Sequence, residues 1–341
     1  MIRLNCDYLE GCHPAVLQAL CDTNMEQNPG YGLDAHCEHA AAMIRDTFAC
    51  PEAAVHFLVG GTQANTTVIA AALRPWEGVL CAETGHINVH ETGAIESSGH
   101  KVLALPQQNG KITAQQVAQA AALQADDEHV VRPAMVYISM STEVGTLYSL
   151  SELKALHAVC RELGLLLFVD GARLGYALAA PDCDITPADL SQHCDVFTVG
   201  GTKVGALFGE AVVICDKPLN TRFRYMIKQR GGMLAKGRLL GIQFEALMQD
   251  GLYFAIGRKA VEQALRIREA FLMKGIGFTC DSPTNQQFPI LTDAQAAKLA
   301  RDFVLENQGR VDDSHVAMRV CTSWATTDKM VNSFIQAVQA L

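Results

Sequence analysis

Two runs decide the fold: Leu165-Leu166-Leu167-Phe168-Val169-Asp170-Gly171-Ala172-Arg173 and, about thirty residues on, Val196-Phe197-Thr198-Val199-Gly200-Gly201-Thr202-Lys203-Val204-Gly205. Each is a short apolar stretch that ends in a glycine with a charged residue close by, as a buried strand running into a tight loop does. The same alternation of β-rich runs with longer Ala-rich segments at helical period extends from about Ala15 to Pro218. It predicts an α/β fold, with a mostly parallel seven-stranded sheet between helices. The strands are expected at Ala54–Val59, Gly78–Ala82, Lys101–Leu105, Ala134–Ser139, Leu165–Asp170, Val196–Val199 and Ala211–Cys215. Helices are expected near Glu38–Phe48, Gln63–Leu73, Ala114–Leu123, Ser151–Leu163 and Gly237–Met248. Beyond Phe244 the pattern becomes a long helical stretch, then short strands around Gly277–Leu291 and Val316–Val320, then a closing helix. This divides the chain into a large unit over 15–244 and a smaller α/β unit made of 1–14 and 245–341.

Composition narrows the partners. A net charge of -9 without a basic cluster argues against a nucleic-acid surface and for a small molecule. The twelve cysteines are spread from Cys6 to Cys321 without a C-x-x-C pair, and they read as reduced thiols of a cytoplasmic protein. The start, MIRLNCDYLEGCHP, lacks the apolar core of a signal peptide, and no run approaches the roughly 18 apolar residues of a membrane span. No membrane partner is expected.

In an open parallel sheet, ligands bind beyond the carboxyl ends of the strands, so four loops carry the functional reading. Gly60-Gly61-Thr62-Gln63-Ala64-Asn65 joins a strand to a helix, where free N–H groups and the helix dipole can hold a phosphate. It fits neither a dinucleotide fingerprint nor a P-loop, and taken alone it reads first as a plain strand-to-helix turn. Asp170, with Arg173 three residues on, offers a carboxylate for a protonated heterocyclic nitrogen, or an ordinary helix cap. Lys203, framed by glycines and apolar residues, is a desolvated amine suited to bonding an aldehyde, or a snorkelling structural lysine. Gly85-His86-Ile87-Asn88-Val89-His90-Glu91 offers an imidazole that can stack on a planar ring or exchange protons. The spacing of His86 and His90 also keeps a zinc hydrolase open, although a third ligand and the H-E-x-x-H order are wanting; no metal is expected.

The ordered set Asn5-Cys6-Asp7, Tyr31-Gly32-Leu33-Asp34, Gly61-Thr62-Gln63-Ala64-Asn65, Gly85-His86, Asp170-Gly171-Ala172-Arg173, Thr202-Lys203 and Arg319 spans nearly the whole chain. It resembles the threonine aldolase family, the β-eliminating lyase branch of the aspartate-aminotransferase-like fold (fold type I) that uses pyridoxal 5'-phosphate (PLP). The resemblance implies PLP joined to Lys203 as an imine, with Asp170 on the pyridine nitrogen and His86 stacked on the ring. Gly61, Thr62 and Gln63 would hold the phosphate, helped by Thr202, with Arg173 close to the cofactor. Arg173 and Arg319 would bind the substrate carboxylate, a task suited to the guanidinium fork. Tyr31 and Lys228–Arg230 look like parts that reach a neighbouring subunit's site, which implies a homodimer or homotetramer with shared active sites.

Two positions depart from the family pattern. Cys6 stands where many members have serine on the substrate side, and Ser141-Thr142-Glu143-Val144-Gly145 stands where many have a loop histidine, so Glu143 becomes a catalytic candidate. The implied reaction is retro-aldol cleavage of threonine or allo-threonine to glycine and an aldehyde. Another PLP-dependent lyase or an aminotransferase acting on a small amino acid is the alternative. The base for the β-hydroxyl is left open among His86, Glu143 and a water.

Overall fold

The computed structural model describes residues 1–123 and 127–341. In chain order its strands are β1 (Ile2–Arg3), β2 (Ala54–Leu58), β3 (Glu77–Ala82), β4 (Lys101–Leu105), β5 (Arg132–Ser139), β6 (Leu166–Asp170), β7 (Val196–Gly200) and β8 (Glu210–Ile214). There follow β9 (Gln286–Gln287), β10 (Ile290–Thr292), β11 (Phe303–Val304), β12 (Glu306–Arg310) and β13 (His315–Cys321). Seven of these form the main sheet in the order β2-β8-β7-β6-β5-β3-β4. The pairs from β7 across to β4 are parallel. The sheet is thus mostly parallel, as the alternation predicts, with β8 running antiparallel to both β2 and β7.

Side chains alternate across the pleat and so build two cores, one on each face. Leu167 and Val169 of β6 join one cluster with Phe197, Ala211 and Val213, while Phe168 joins the other with Val196, Val212 and Ile214. Every residue of β7 and β8 is buried, which explains why these strands read as continuous apolar runs rather than as alternating ones. A third cluster lies in the smaller C-terminal domain, where Leu4 meets Ile267, Phe271, Val316, Phe334 and Val338. The long helix Leu252–Met273 serves two cores: Tyr253, Ile256 and Ala260 pack with the main sheet, and Ile267, Ala270 and Phe271 with the third cluster.

Several boundaries differ from expectation for local reasons. The helix Ala35–Thr47 starts three residues before Glu38 because the Asp34 side chain caps it, accepting the N–H of Cys37 at 2.9 Å. The segment 277–291 holds only the short β9, the start of β10 and a single bridge between Phe278 and Pro289, the rest being irregular. Strand β12 was not anticipated: all five of its residues are exposed, so no alternation marks it. Among the described residues no helix is long and apolar enough to cross a membrane.

Two glycines bring the functional loops together. A Cβ on Gly171 would lie 1.9 Å from the Thr198 carbonyl oxygen, and one on Gly200 would lie 2.4 Å from that of Ala172. Only glycine permits such an approach. The loops after β6 and β7 are thereby pressed together, and Gly200 N–H donates to Gly171 O at 3.0 Å.

Candidate active site

Asp170 ends β6 and Lys203 follows β7, its parallel neighbour, so both open into one cavity of about 190 Å³. The loop that carries Lys203 closes on itself, because Gly201 and Thr202 both donate their N–H to Gly209 O at 3.0 Å. The Thr202 hydroxyl accepts the N–H of Gly209 at 3.1 Å, and the Tyr176 hydroxyl donates to the Lys203 carbonyl at 2.5 Å. Burial and the nearby Arg173 charge lower the pKa of the Lys203 amine; Asp7, Glu210 and Asp170 oppose them in part. This is the environment that makes an amine nucleophilic.

The Asp170 carboxylate is buried yet well satisfied. Its Oδ2 accepts the Tyr137 hydroxyl at 2.6 Å and Asn65 Nδ2 at 3.1 Å, and its Oδ1 accepts the N–H of Ala172 at 2.9 Å. Burial alone would raise its pKa, but the Tyr137 hydrogen bond, His86, Lys203 and Asn65 outweigh it and keep the group below its ordinary value. The ionised form of this buried group is therefore favoured.

Asn65 gives its second amide hydrogen to Glu91 Oε1 at 2.7 Å, and that oxygen also lies 2.8 Å from His86 Nδ1. Tyr137, Asp170, Asn65, Glu91 and His86 thus form one hydrogen-bonded chain along the wall of the cavity. Glu143 Oε1 accepts both the Ser139 hydroxyl at 2.6 Å and the backbone N–H of His86 at 2.9 Å. Burial raises the pKa of the Glu143 carboxyl despite those two donors.

At the far end of the cavity, the helix Gly61–Ala72 begins with Gly60 in the capping position and no side-chain cap. A Cβ on Gly60 or Gly61 would meet no atom within 4 Å, so space is left open at the start of this helix, where N–H groups lack intrahelical partners. Gly61, Thr62 and Thr202 line the cavity. The Gln63 side chain departs from the expected phosphate contact: its Oε1 accepts the N–H of Val59 at 3.3 Å and its Nε2 donates to Arg230 O at 3.4 Å.

His86, Glu143, Arg173 and Lys203 also border a second hollow of about 600 Å³, which Arg319 lines from the other side. Each arginine is partly engaged. Arg173 donates through Nε and Nη2 to the two Asp7 oxygens at 2.7 and 3.0 Å, and Arg319 through Nε and Nη2 to Asn5 O at 3.2 and 2.8 Å. The Arg173 side chain is accordingly only 13% exposed.

Two expected site residues stand apart. Cys6 is buried beside the Asn5 amide and lines neither hollow. Tyr31 lines a separate pocket with Arg224 and Gly232, and its ring carries Lys228 Nζ at 4.9 Å. The zinc arrangement is not assembled: among the described residues no three His, Cys, Asp or Glu side chains stand in metal-holding geometry, and His86 Nδ1 is turned onto Glu91.

The sequence reading missed Asn65, Tyr137, Glu91, Glu210 and the Asp7 carboxylate as site members. Glu210 heads β8, is only 3% exposed and lines the cavity with one unpartnered oxygen, Oε2. Burial pushes its carboxyl up to about 8, against the pull of Lys203. The available signal was a lone acidic residue heading an otherwise apolar strand.

The mixed, mostly parallel sheet is a fold shared with aminotransferases. The solved structure of a Thermus thermophilus aspartate aminotransferase double mutant matches the whole chain with a TM-score of 0.72 at 12% identity, which speaks for the fold alone. The chain belongs to the beta-eliminating lyase family, whose model matches residues 4–294, and within it to the threonine aldolase branch. The low specificity L-threonine aldolase of a Pseudomonas species is 36% identical over 251 residues, covering 72% of this chain and 71% of that protein. The Leishmania major threonine aldolase structure superposes with a TM-score of 0.98 at 43% identity, covering 100% of this chain and 99% of that one. The protein is accordingly a lyase.

Proposed function

We propose that the protein is a PLP-dependent carbon-carbon lyase that cleaves a β-hydroxy-α-amino acid, threonine or allo-threonine, to glycine and an aldehyde. The observation that carries this reading is the placement of a lysine and a buried, hydrogen-bonded aspartate at adjacent strand ends, in one cavity that also holds an open helix N-terminus.

The residues present fit PLP. The uncapped turn at Gly61 and Thr62, with open space where side chains would stand, suits a phosphate, and the Thr202 hydroxyl lies on the same cavity. Ser141 Oγ and Glu210 Oε2 are buried, unpartnered and on the cavity wall, as polar atoms awaiting a ligand are. Lys203 Nζ would hold the aldehyde carbon, Asp170 the ring nitrogen and His86 a face of the ring. When bound, the cofactor supplies an electron sink for the pair released as a bond to the substrate α-carbon breaks.

The chain's own residues then select the bond and move the proton. Arg173 and Arg319 each keep Nη1 outside their internal hydrogen bonds, and together they would orient the substrate carboxylate. Glu91 Oε1 accepts from Asn65, so His86 Nδ1 is the donor in their contact and Nε2 is the ring nitrogen left outside it. We assign removal of the β-hydroxyl proton to that Nε2, with Glu143 holding the His86 backbone. The positions of Tyr31 and Lys228, outside the cavity of their own chain, support a homodimer or homotetramer in which they serve a neighbour's site. The dispersed free thiols support a cytoplasmic setting.

The test is the visible spectrum of purified protein before and after borohydride, followed by L-threonine, L-allo-threonine and D-threonine with product assays. The expected result is a yellow protein that releases glycine and acetaldehyde, and a Lys203→Ala variant that loses colour and turnover together. A variant that stays yellow and active overturns the reading; pyruvate and ammonia as products would move it to the alternative lyase.

A further inference from the structure

The segment Leu4–Asp7 is stitched to both arginines of the site. We propose that Asp7 is a positioning residue for substrate carboxylate recognition, holding the Arg173 guanidinium in one orientation and in register with Arg319 across the junction of the two domains. The proposal rests on the reading of the cavity as an amino-acid site.

Asp7 is 0% exposed and both its oxygens are engaged. Oδ2 accepts Arg173 Nε at 2.7 Å and Asn285 Nδ2 at 3.0 Å, while Oδ1 accepts Arg173 Nη2 at 3.0 Å. Two parallel hydrogen bonds to a planar guanidinium fix its plane as well as its position. Asn285 ties the pair to the small domain, since its Nδ2 also donates to Thr322 O at 2.9 Å and its carbonyl accepts the N–H of Thr322 at 3.0 Å. Thr322 directly follows β13, the strand that carries Arg319.

The other end of the segment holds the same strand. Leu4 O accepts the N–H of Cys321 at 2.7 Å, and Asn5 O accepts Nε and Nη2 of Arg319. The two arginines are therefore treated alike: each gives its Nε and Nη2 edge to the amino-terminal segment and retains Nη1. An arginine devoted to ligand binding alone would keep its whole fork free and would have to be ordered by the ligand. Here the ordering is done beforehand, which removes that entropic cost from binding. Arg173 without Asp7 would be a buried, uncompensated charge, free to turn toward other acceptors.

The experiment compares the PLP-loaded wild-type protein with Asp7→Asn and Asn285→Ala. Binding of glycine, which has a carboxylate, and of methylamine, which lacks one, is read from the change in cofactor absorbance. Bound PLP and melting temperature are measured alongside. Asp7→Asn is expected to raise Kd for glycine about tenfold or more, while Kd for methylamine moves less than about twofold and PLP content is retained. Asn285→Ala keeps the ion pair but cuts its tie to β13, and should raise Kd for glycine by a smaller factor, about threefold, again sparing methylamine. Equal losses for both amines would mean general disorder of the site and overturn the proposal, as would unchanged glycine binding. If Asp7→Asn does not fold, Asn285→Ala decides by the same criteria. A wild-type protein that binds neither amine removes the amino-acid reading of the cavity itself, and the role of Asp7 with it.

Discussion

His86 Nδ1 stands 2.8 Å from Oε1 of Glu91, whose side chain has no solvent exposure, and the same oxygen accepts the Asn65 amide at 2.7 Å. An oxygen that already accepts a hydrogen bond from Asn65 acts as an acceptor toward His86 too, so the imidazole tautomer is set by its surroundings. Glu91→Gln replaces that acceptor with an amide whose NH₂ can turn to His86 and stabilise the opposite tautomer. The expected result is a fall in kcat of about 10²-fold, with PLP absorbance and KM little changed, because proton transfer is lost while binding is kept. A kcat within twofold of wild type would remove His86 Nε2 as the base.

How much of this could be read from the chain depends on the distance over which each feature is decided. Strand β4 and the helix Ala114–Leu123 fall where local pattern puts them, because one buried face per element is a local property. Lys203 and Asp170 were legible because their apolar flanks and glycines mark strand ends. The antiparallel direction of β8 was not, since Glu210–Ile214 is buried whichever way it runs and pairing is chosen by its neighbours. The polar chain behind the site was hidden for a related reason. Asn65 reads as one more polar residue in an Ala-rich helix, and its two partners lie 26 and 105 residues away. Asp7 and Arg173 are 166 residues apart, and neither announces the other.

Glu143 offers a separate test of which group moves the proton. Its Oε1 receives two hydrogen bonds, from the Ser139 hydroxyl and the His86 N–H, and burial raises its pKa and so disfavours the ionised form that a base requires. Glutamine keeps the acceptor oxygen and loses only the titration. Glu143→Gln is therefore expected to retain kcat within about threefold, with the acidic limb of the pH profile in place, whereas Glu143→Ala should lose about tenfold through displacement of the His86 backbone. If Glu143→Gln instead abolishes both turnover and the acidic limb, the carboxylate itself is the base, and the assignment passes from His86 to Glu143.

Glu210 makes the fold sensitive to pH in a direction opposite to that of most carboxylates. Its folded-state pKa, about 8, lies above its ordinary value of 4.5, so between those values the folded chain holds a proton that the unfolded chain has released. Stability linked to this group is fully present below pH 4.5 and is lost as pH rises toward 8. One extra bound proton corresponds to a slope of about -1.4 kcal/mol per pH unit within that window. Glutamine is neutral throughout, so Glu210→Gln should flatten the decline in melting temperature between pH 5 and pH 8 and make the variant the more stable protein at the alkaline end. Two parallel curves would mean that Glu210 is already ionised in the folded state, with its charge balanced by a protonated Lys203; the amine would then lack the free lone pair that bonding an aldehyde requires.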